Sequence, residues 1–373
     1  MYDVAVAGGS IAGLLCAREA ASSGLSVVVL EEDHEIGTPD HCGGLVSSEA
    51  LGELGLVPGP GAAVRAVQSA RLRSPGGKVI DVDSSAQNVL GVDRRALDKQ
   101  AALQAQRAGA EIRAGVRCTA VHKNSLGTVS GPIPCKVAVD ARGLAPLALK
   151  DPSGVVPSAQ YEVYADWTEG TPVEVILDSA KYPGFFAWVI PSAGGSAKVG
   201  AAGRGINAGR ALGDFLKSRG RHSILRRVYA PLWTGGPADE FIDGAVAVGD
   251  AAGQAKPTTS GGIYTCGMGG VLAGRAIASY IATGELSRLQ EYPDNWKKRF
   301  GKEFARQMLL RRLLERMDNA AIDGLFDSVG PGSLAGDSDF DFHTDSIVGL
   351  LGLRGSLRAV RAVLGGEARK LLG

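Results

Sequence analysis

The sequence predicts an α/β fold in which a Rossmann-like dinucleotide-binding domain is interleaved with an antiparallel β-sheet domain and followed by a helical C-terminal region. Three observations predict it. The first thirty residues read strand, glycine turn, helix, strand. Residues 158–203 change to short strands with turn residues between them, the signature of an antiparallel sheet. From Glu285 onward the pattern is mostly helical, with a Gly/Asp-rich break over residues 330–341.

The opening unit is the most informative. Asp3-Val4-Ala5-Val6-Ala7 reads as a buried strand and Gly8-Gly9-Ser10-Ile11-Ala12-Gly13 as a tight turn. Leu14 to Ser22 reads as a helix ended by Gly24, and Ser26-Val27-Val28-Val29-Leu30 as a second strand. Glycine at such a turn lets the backbone approach a pyrophosphate, and the helix N-terminus offers it free N–H groups and partial positive charge. Glu31 closes the second strand, where an acid can accept hydrogen bonds from a ribose. The dinucleotide fingerprint is G-x-G-x-x-G, and Ser10 stands at its second glycine. An ordinary βαβ crossover with a glycine turn is the alternative reading.

At 373 residues, 45% of them hydrophobic, the chain is globular and too long for one simple core. A net charge of +1 implies no nucleic acid or other polyanion partner. Many of the 53 glycines sit in turns and ligand loops. The five cysteines (Cys16, Cys42, Cys118, Cys135 and Cys266) form no C-x-x-C pair, so neither a disulfide framework nor a zinc site is expected, and a reducing, cytoplasmic setting is. The five histidines, at positions 34, 41, 122, 222 and 343, show no ligand spacing, and no metal is expected. No basic segment precedes the first strand, so no signal peptide is expected. No run approaches the roughly 18 apolar residues of a membrane span.

Taken in order, a polar loop follows Glu31 and ends in His41-Cys42-Gly43-Gly44. Ser48 to Leu56 reads as a short helix stopped by Pro58-Gly59-Pro60-Gly61. Val64 to Arg73 and Lys78 to Asp83 read as strands of a hairpin around Pro75-Gly76-Gly77. Arg94 and Arg95 precede a helix from Ala96 to Ala108. Short strands are expected at 110–113 and 117–123, and a buried one at 135–139 runs into Asp140-Ala141-Arg142-Gly143. The sheet region holds strands at 160–167, 173–177, 185–190 and 196–202, with helices at 208–219 and 222–228. A hairpin over 241–248 enters Gly249-Asp250-Ala251-Ala252-Gly253, a loop follows over 256–262, and a helix runs from Ile263 to Thr283. The dinucleotide-binding domain is thus expected from residues 1–60, 92–143 and 240–285, the sheet domain from 61–91 and 144–239, and the helical region from 286–373.

These landmarks together resemble FAD enzymes of the para-hydroxybenzoate hydroxylase type. Within them, Cys42-Gly43-Gly44, the loop Lys256-Pro257-Thr258-Thr259-Ser260-Gly261-Gly262-Ile263-Tyr264 and the stretch Pro183-Gly184-Phe185-Phe186-Ala187-Trp188-Val189-Ile190-Pro191 resemble the geranylgeranyl reductases, whose substrate motif reads P-x-x-Y-x-W-x-F-P. Phe186 replaces the motif tyrosine and Ile190 its phenylalanine. The resemblance covers residues 1–285 and is nearest the archaeal digeranylgeranylglycerophospholipid reductases.

The resemblance implies FAD contacts at Gly8, Ser10, Ala12, Gly13, Glu31, Cys42, Gly43, Leu45, Arg94, Cys118, Asp250, Gly253, Gly262 and Ile263, and a prenyl cavity lined by Phe186, Trp188 and Ile190. It implies an enzyme that saturates C=C bonds, with ferredoxin, a reduced deazaflavin or NADPH as electron donor. Each residue also has a plainer reading. Asp250 can cap a helix. Arg95 rivals Arg94 as the phosphate ligand. The aromatic residues can simply pack a sheet. Cys42 is the chemical candidate, because reducing a C=C bond needs a proton as well as a hydride; otherwise it is a small packing residue. A flavin monooxygenase and a non-catalytic prenyl-lipid-binding flavoprotein are the alternative functions. Finally, Ile347, Val348, Leu350, Leu351, Leu353, Leu357, Val360 and Leu364 recur at near-helical spacing beside Arg354, Arg358, Arg361, Arg369 and Lys370. Such a helix can lie on the inner face of a membrane as a peripheral contact, or pack on the body of the protein.

Overall fold

The computed structural model describes residues 1–58, 63–242, 244–329, 333–335, 340–342 and 344. The basic helix expected from residue 347 onward lies outside them, as does most of the Gly/Asp-rich break. The described helices of α type are α1 (Ile11–Ser22), α2 (Ser48–Glu53), α3 (Arg94–Arg107), α4 (Ala145–Lys150), α5 (Ala208–Arg219), α6 (Ile263–Thr283), α7 (Ser287–Arg316) and α8 (Asn319–Val329). The expected α/β class holds, with two large sheets drawing strands alternately from the chain.

The first sheet has a parallel centre. Strands Glu111–Arg113, Val27–Leu30, Tyr2–Ala7, Gly131–Asp140 and Ala245–Ala247 lie side by side in that order. Val4 pairs with Val27 on one side and Val137 on the other. The central strands Val27–Leu30 and Ala245–Ala247, the Val4–Ala7 part of the first strand and the Val137–Val139 part of the fourth are short apolar runs because both faces are covered there, as parallel sheets require. The strands 118–122 and 125–128 form an antiparallel extension.

Helices α1 and α6 pack on this sheet and on each other unusually closely. A Cβ added to Gly270 would lie 2.1 Å from the Ala12 carbonyl oxygen, and one added to Gly274 2.5 Å from that of Cys16. The matched order of the two contacts makes the helices parallel. Their N-termini therefore point the same way, with α6 starting about 9 Å further out at 1.5 Å per residue.

The second sheet runs Ser223–Tyr229, Ser158–Tyr164, Ser196–Ala202, Ala187–Pro191, Val173–Ile176, Ser69–Arg73, Val79–Asp83 and Ser333–Ala335. It is antiparallel except where 173–176 meets 69–73 and 333–335 meets 79–83. Helix α5 buries Leu212 and Leu216 against its inner face with Val163, Val189 and Val199. Helix α7 carries a one-sided stripe of buried residues, Tyr292, Trp296, Phe300, Phe304, Gln307 and Arg311, at the spacing of a single helix face. It is about 45 Å long at 1.5 Å per residue.

Three expectations are corrected. Residues 222–228 are not helical: Ser223–Tyr229 is an edge strand paired to Ser158–Tyr164, with exposed and half-buried residues alternating. The Arg226-Arg227 pair suits either structure, so tertiary pairing decides. The strand expected over 64–73 is two strands. Ala63–Val67 pairs with Val89–Val92 in a small sheet with Leu45–Ser47, whereas Ser69–Arg73 joins the second large sheet. The strand that was expected to reach Trp167 ends at Tyr164, where a 3-10 turn begins.

Candidate functional site

At the glycine turn the constraints are steric. Gly8 has φ +112°, and a Cβ there would lie 2.2 Å from the Ala141 carbonyl oxygen. A Cβ at Gly13 would lie 2.1 Å from the Gly8 oxygen. Ser10 is the exposed N-cap of α1 and its side chain makes no cap hydrogen bond. The first N–H groups of α1 therefore have no side-chain acceptor, which suits an anion. Ala12 is buried under the Gly249 turn. Glu31 accepts from the Gly9 N–H at 2.7 Å and the Asp33 N–H at 3.0 Å. Burial nevertheless raises its carboxyl above the usual value. Cys118 is buried beside Arg142 and Asp140, and its thiol is pushed up by burial. It belongs to the Gly8 end, because Ala141 touches Gly8.

Around Cys42 the partners are side chains. Cys42 is half-buried, and its Sγ accepts from the Gly44 N–H at 3.4 Å. Its carbonyl accepts from Lys198 Nζ at 2.9 Å and Gln160 Nε2 at 3.2 Å. Lys198 also pairs with buried Asp40 at 2.8 Å, and Arg226 reaches the same carboxylate at 3.4 Å. Burial alone would raise the Asp40 carboxyl; Lys198 and Arg226 hold it below the usual range. The loop is thus clamped from the second sheet. Gly43 lies against Ile190, whose Cδ1 would be 2.7 Å from an added Cβ. Leu45 begins the strand that follows.

Arg94 and Arg95 occupy different environments. Arg95 is exposed and pairs with Asp93. Arg94 is largely buried, with 13% of its side chain exposed, donates from Nη2 to both Asp98 oxygens at 3.0 and 3.1 Å, and leaves its buried Nε without a partner. Burial would lower its pKa, but the Asp98 carboxylate outweighs that and raises it. Asp250 sits in the Gly249–Ala252 turn, its carboxyl raised by burial, with the Cys266 thiol donating at 3.5 Å and with Arg94 and His41 nearby. Cys42, Arg94 and Asp250 therefore share one neighbourhood. Gly253 follows in the left-handed region. Gly262 caps α6 without a side-chain hydrogen bond, and Ile263 is buried as its first residue.

The aromatic stretch continues from this loop. Trp188 lies flat on Gly200, where an added Cβ would be 2.1 Å from the indole, and donates to Gln160 Oε1 at 3.1 Å. Phe186 stacks on Phe185 at 4.3 Å and meets Trp188 edge-on at 6.1 Å. The sequence reading missed Asp40, Gln160, Lys198 and Arg226. A lysine inside Ala197-Lys198-Val199 and a glutamine inside Ala159-Gln160-Tyr161 were the available signals. Among the described residues no cluster of His, Cys, Asp and Glu could hold a metal ion, and no helix is long and apolar enough to cross a membrane.

The groups present fit FAD: two helix N-termini without side-chain acceptors, glycines that leave no room for a side chain, and an orphaned buried guanidinium nitrogen between them and Cys42. No family model matches the chain. It is 30% identical over 354 residues to digeranylgeranylglycerophospholipid reductase 2 of Methanothermobacter thermautotrophicus, covering 88% of this chain and 91% of that one. The fold matches a geranylgeranyl bacteriochlorophyll reductase-like protein of Thermoplasma acidophilum with a TM-score of 0.82 at 23% identity, over 91% of this chain and 94% of that one. It also matches p-nitrophenol 4-monooxygenase of Pseudomonas putida with a TM-score of 0.67 at 17% identity, over 95% and 98%. The chain belongs to the digeranylgeranylglycerophospholipid reductase family.

Proposed function

We propose that this protein is an FAD-dependent reductase that saturates C=C bonds of geranylgeranyl chains in digeranylgeranylglycerophospholipids. The observation that carries the reading is the junction of the Cys42 loop with the Trp188 strand through Gln160 and Lys198, in a chain of this family. It joins a nucleotide-type fold to an apolar wall at one thiol.

Bound FAD would supply a hydride to one alkene carbon. Gly8, Ser10, Ala12, Gly13 and Glu31 would hold its adenosine and pyrophosphate end with Cys118 nearby, and Arg94, Asp250, Gly253, Gly262 and Ile263 its flavin end, beside Gly43 and Leu45. Cys42 Sγ holds the proton that the second carbon requires. Arg94 lies beside it and places a positive charge next to the sulfur from which the proton leaves. Lys198 and Gln160 fix the Cys42 backbone. Trp188, Phe186 and Ile190 exclude water and lay the isoprenoid against the thiol. Ferredoxin, a reduced deazaflavin or NADPH supplies the electrons, and the protein works at the cytoplasmic face of the membrane that holds its product.

The test is anaerobic incubation of the pre-reduced, FAD-loaded protein with a digeranylgeranylglycerophospholipid, followed by mass spectrometry. Each saturated bond adds two hydrogens. An unchanged lipid mass sinks the proposal, and substrate-dependent oxygen uptake in air would favour a monooxygenase instead.

A further inference from the structure

The buried stripe of α7 ends in a residue whose polar atoms are incompletely satisfied. Arg311 is 1% exposed. Its Nε donates to Glu315 at 2.9 Å, but Nη1 and Nη2 are buried and have no partner. Glu315 is already bound by Arg204, from Nη2 at 2.7 Å and Nε at 3.0 Å. Two guanidinium groups thus share one carboxylate; Arg204 and Glu315 reach solvent, whereas Arg311 does not. Burial pulls the Arg311 pKa down, against the pull of Glu315. Buried guanidinium donors left without acceptors are costly, and an anion that met them would relieve that cost.

The surroundings say what kind of anion. The Arg311 guanidinium lies 5.0 Å over the ring of Phe185. Phe185 stacks on Phe186, and Phe186 meets Trp188. Trp188 connects through Gln160 to the Cys42 carbonyl. One end of this aromatic row is therefore the candidate proton donor, and the other is a cation with two free donors in a planar fork. We infer that Arg311 binds the phosphate of an isoprenoid phosphate whose hydrocarbon chain lies along Phe185, Phe186 and Trp188. A guanidinium fork matches two phosphate oxygens at once. This rests on the prenyl-reductase reading for the identity of the chain, while the anion site itself stands on Arg311. The phosphate belongs either to the glycerol phosphate of a diether lipid or to a prenyl diphosphate.

Calorimetry on the FAD-loaded protein separates these cases with three ligands: digeranylgeranylglyceryl phosphate, geranylgeranyl diphosphate and the uncharged geranylgeraniol. Wild type is expected to bind at least one phosphate-bearing ligand roughly tenfold or more tightly than the alcohol, and the tighter of the two identifies the source. Arg311→Met is expected to weaken phosphate binding by about 10–100-fold, the range of a lost charge-assisted contact, and to leave the alcohol within about twofold. Glu315→Gln, which removes the competing carboxylate, is expected to keep or strengthen the phosphate preference. FAD content and melting temperature report folding; if Arg311→Met does not fold, the wild-type preference and Glu315→Gln decide. Equal wild-type affinity for phosphate and alcohol, or an equal loss for all three ligands in Arg311→Met, overturns the inference. A wild type that shows the preference yet leaves the chain unreduced sinks the reductase reading and keeps this site; reduction without the preference does the reverse.

Discussion

At the Gly8 end of the site the contacts are made largely by backbone, within a segment of about thirty residues. The Gly9 N–H meets Glu31 only 22 positions along the chain, and the remaining restrictions are carbonyl oxygens facing glycine Cα atoms. At the Cys42 end the contacts are side chains from 118 and 156 positions away, Gln160 and Lys198. The first end tolerates little substitution, because there is no space. The second is set by charge and hydrogen bonding as well, with steric limits only at Gly43, Gly44 and Gly200. Steric sites should therefore fail by losing cofactor and fold together, and electrostatic sites by losing rate or acid stability while the cofactor stays.

The largest expected effect breaks the first end. Gly8→Val combines a left-handed backbone with a side chain driven into Ala141, and should cost about 3 kcal/mol or more. The purified protein should melt much earlier and carry no FAD, as read by calorimetry and flavin absorbance. A stable, yellow Gly8→Val would erase the distinction between the two ends.

Lys198→Met comes next. It leaves Asp40 buried with only the more distant Arg226 beside it, and breaking a buried pair costs roughly 3 kcal/mol. The sign of its pH dependence follows from the depressed Asp40 carboxyl. Such a group contributes stability above its unfolded pKa of about 4, and that stability is lost as pH falls through the folded value. Without Lys198 burial prevails, the Asp40 pKa rises, and acid unfolding should begin at higher pH than in wild type. Thermal melts across an acid pH series check this; parallel wild-type and variant profiles would remove Lys198 from its clamping role.

Cys42→Ala should retain FAD and fold while lowering the rate of alkene reduction by about 10²-fold, the usual worth of a general acid. Single-turnover reduction of the lipid reads it directly, and an unchanged rate assigns the proton to another group. The smallest effect sharpens the contrast between neighbours. Arg95→Ala should change stability by less than about 1 kcal/mol, as for any exposed pair, with FAD content intact. Arg94→Gln, which also breaks the pairing with Asp98, is the exception at this end and should lose FAD, as read by equilibrium dialysis.

Helix α6 was legible from Ile263 to Thr283 because Gly262 and Gly284 bracket a largely apolar run. The parallel centre of the first sheet was legible for the same reason: its short apolar runs carry their own boundaries. Ser223–Tyr229 was not, since its alternation is weak and only pairing with Ser158–Tyr164 selects the strand. Nor was the break at Gln68, where one extended stretch divides between two sheets.

The same division runs through the site. Sequence alone determined where a nucleotide-type turn would form, which helices would present their N-termini, and which cysteine would stand between two glycines and a nucleotide fold. These are local properties, set by chain flexibility, capping and apolar periodicity. Only the tertiary structure decided that Lys198, Gln160 and Asp40 converge on Cys42, that Arg94 and not Arg95 is buried beside it, and that Arg311 closes the aromatic row. Those contacts depend on strand register and helix packing between segments far apart in the chain, and no local pattern encodes which distant side chain will meet which.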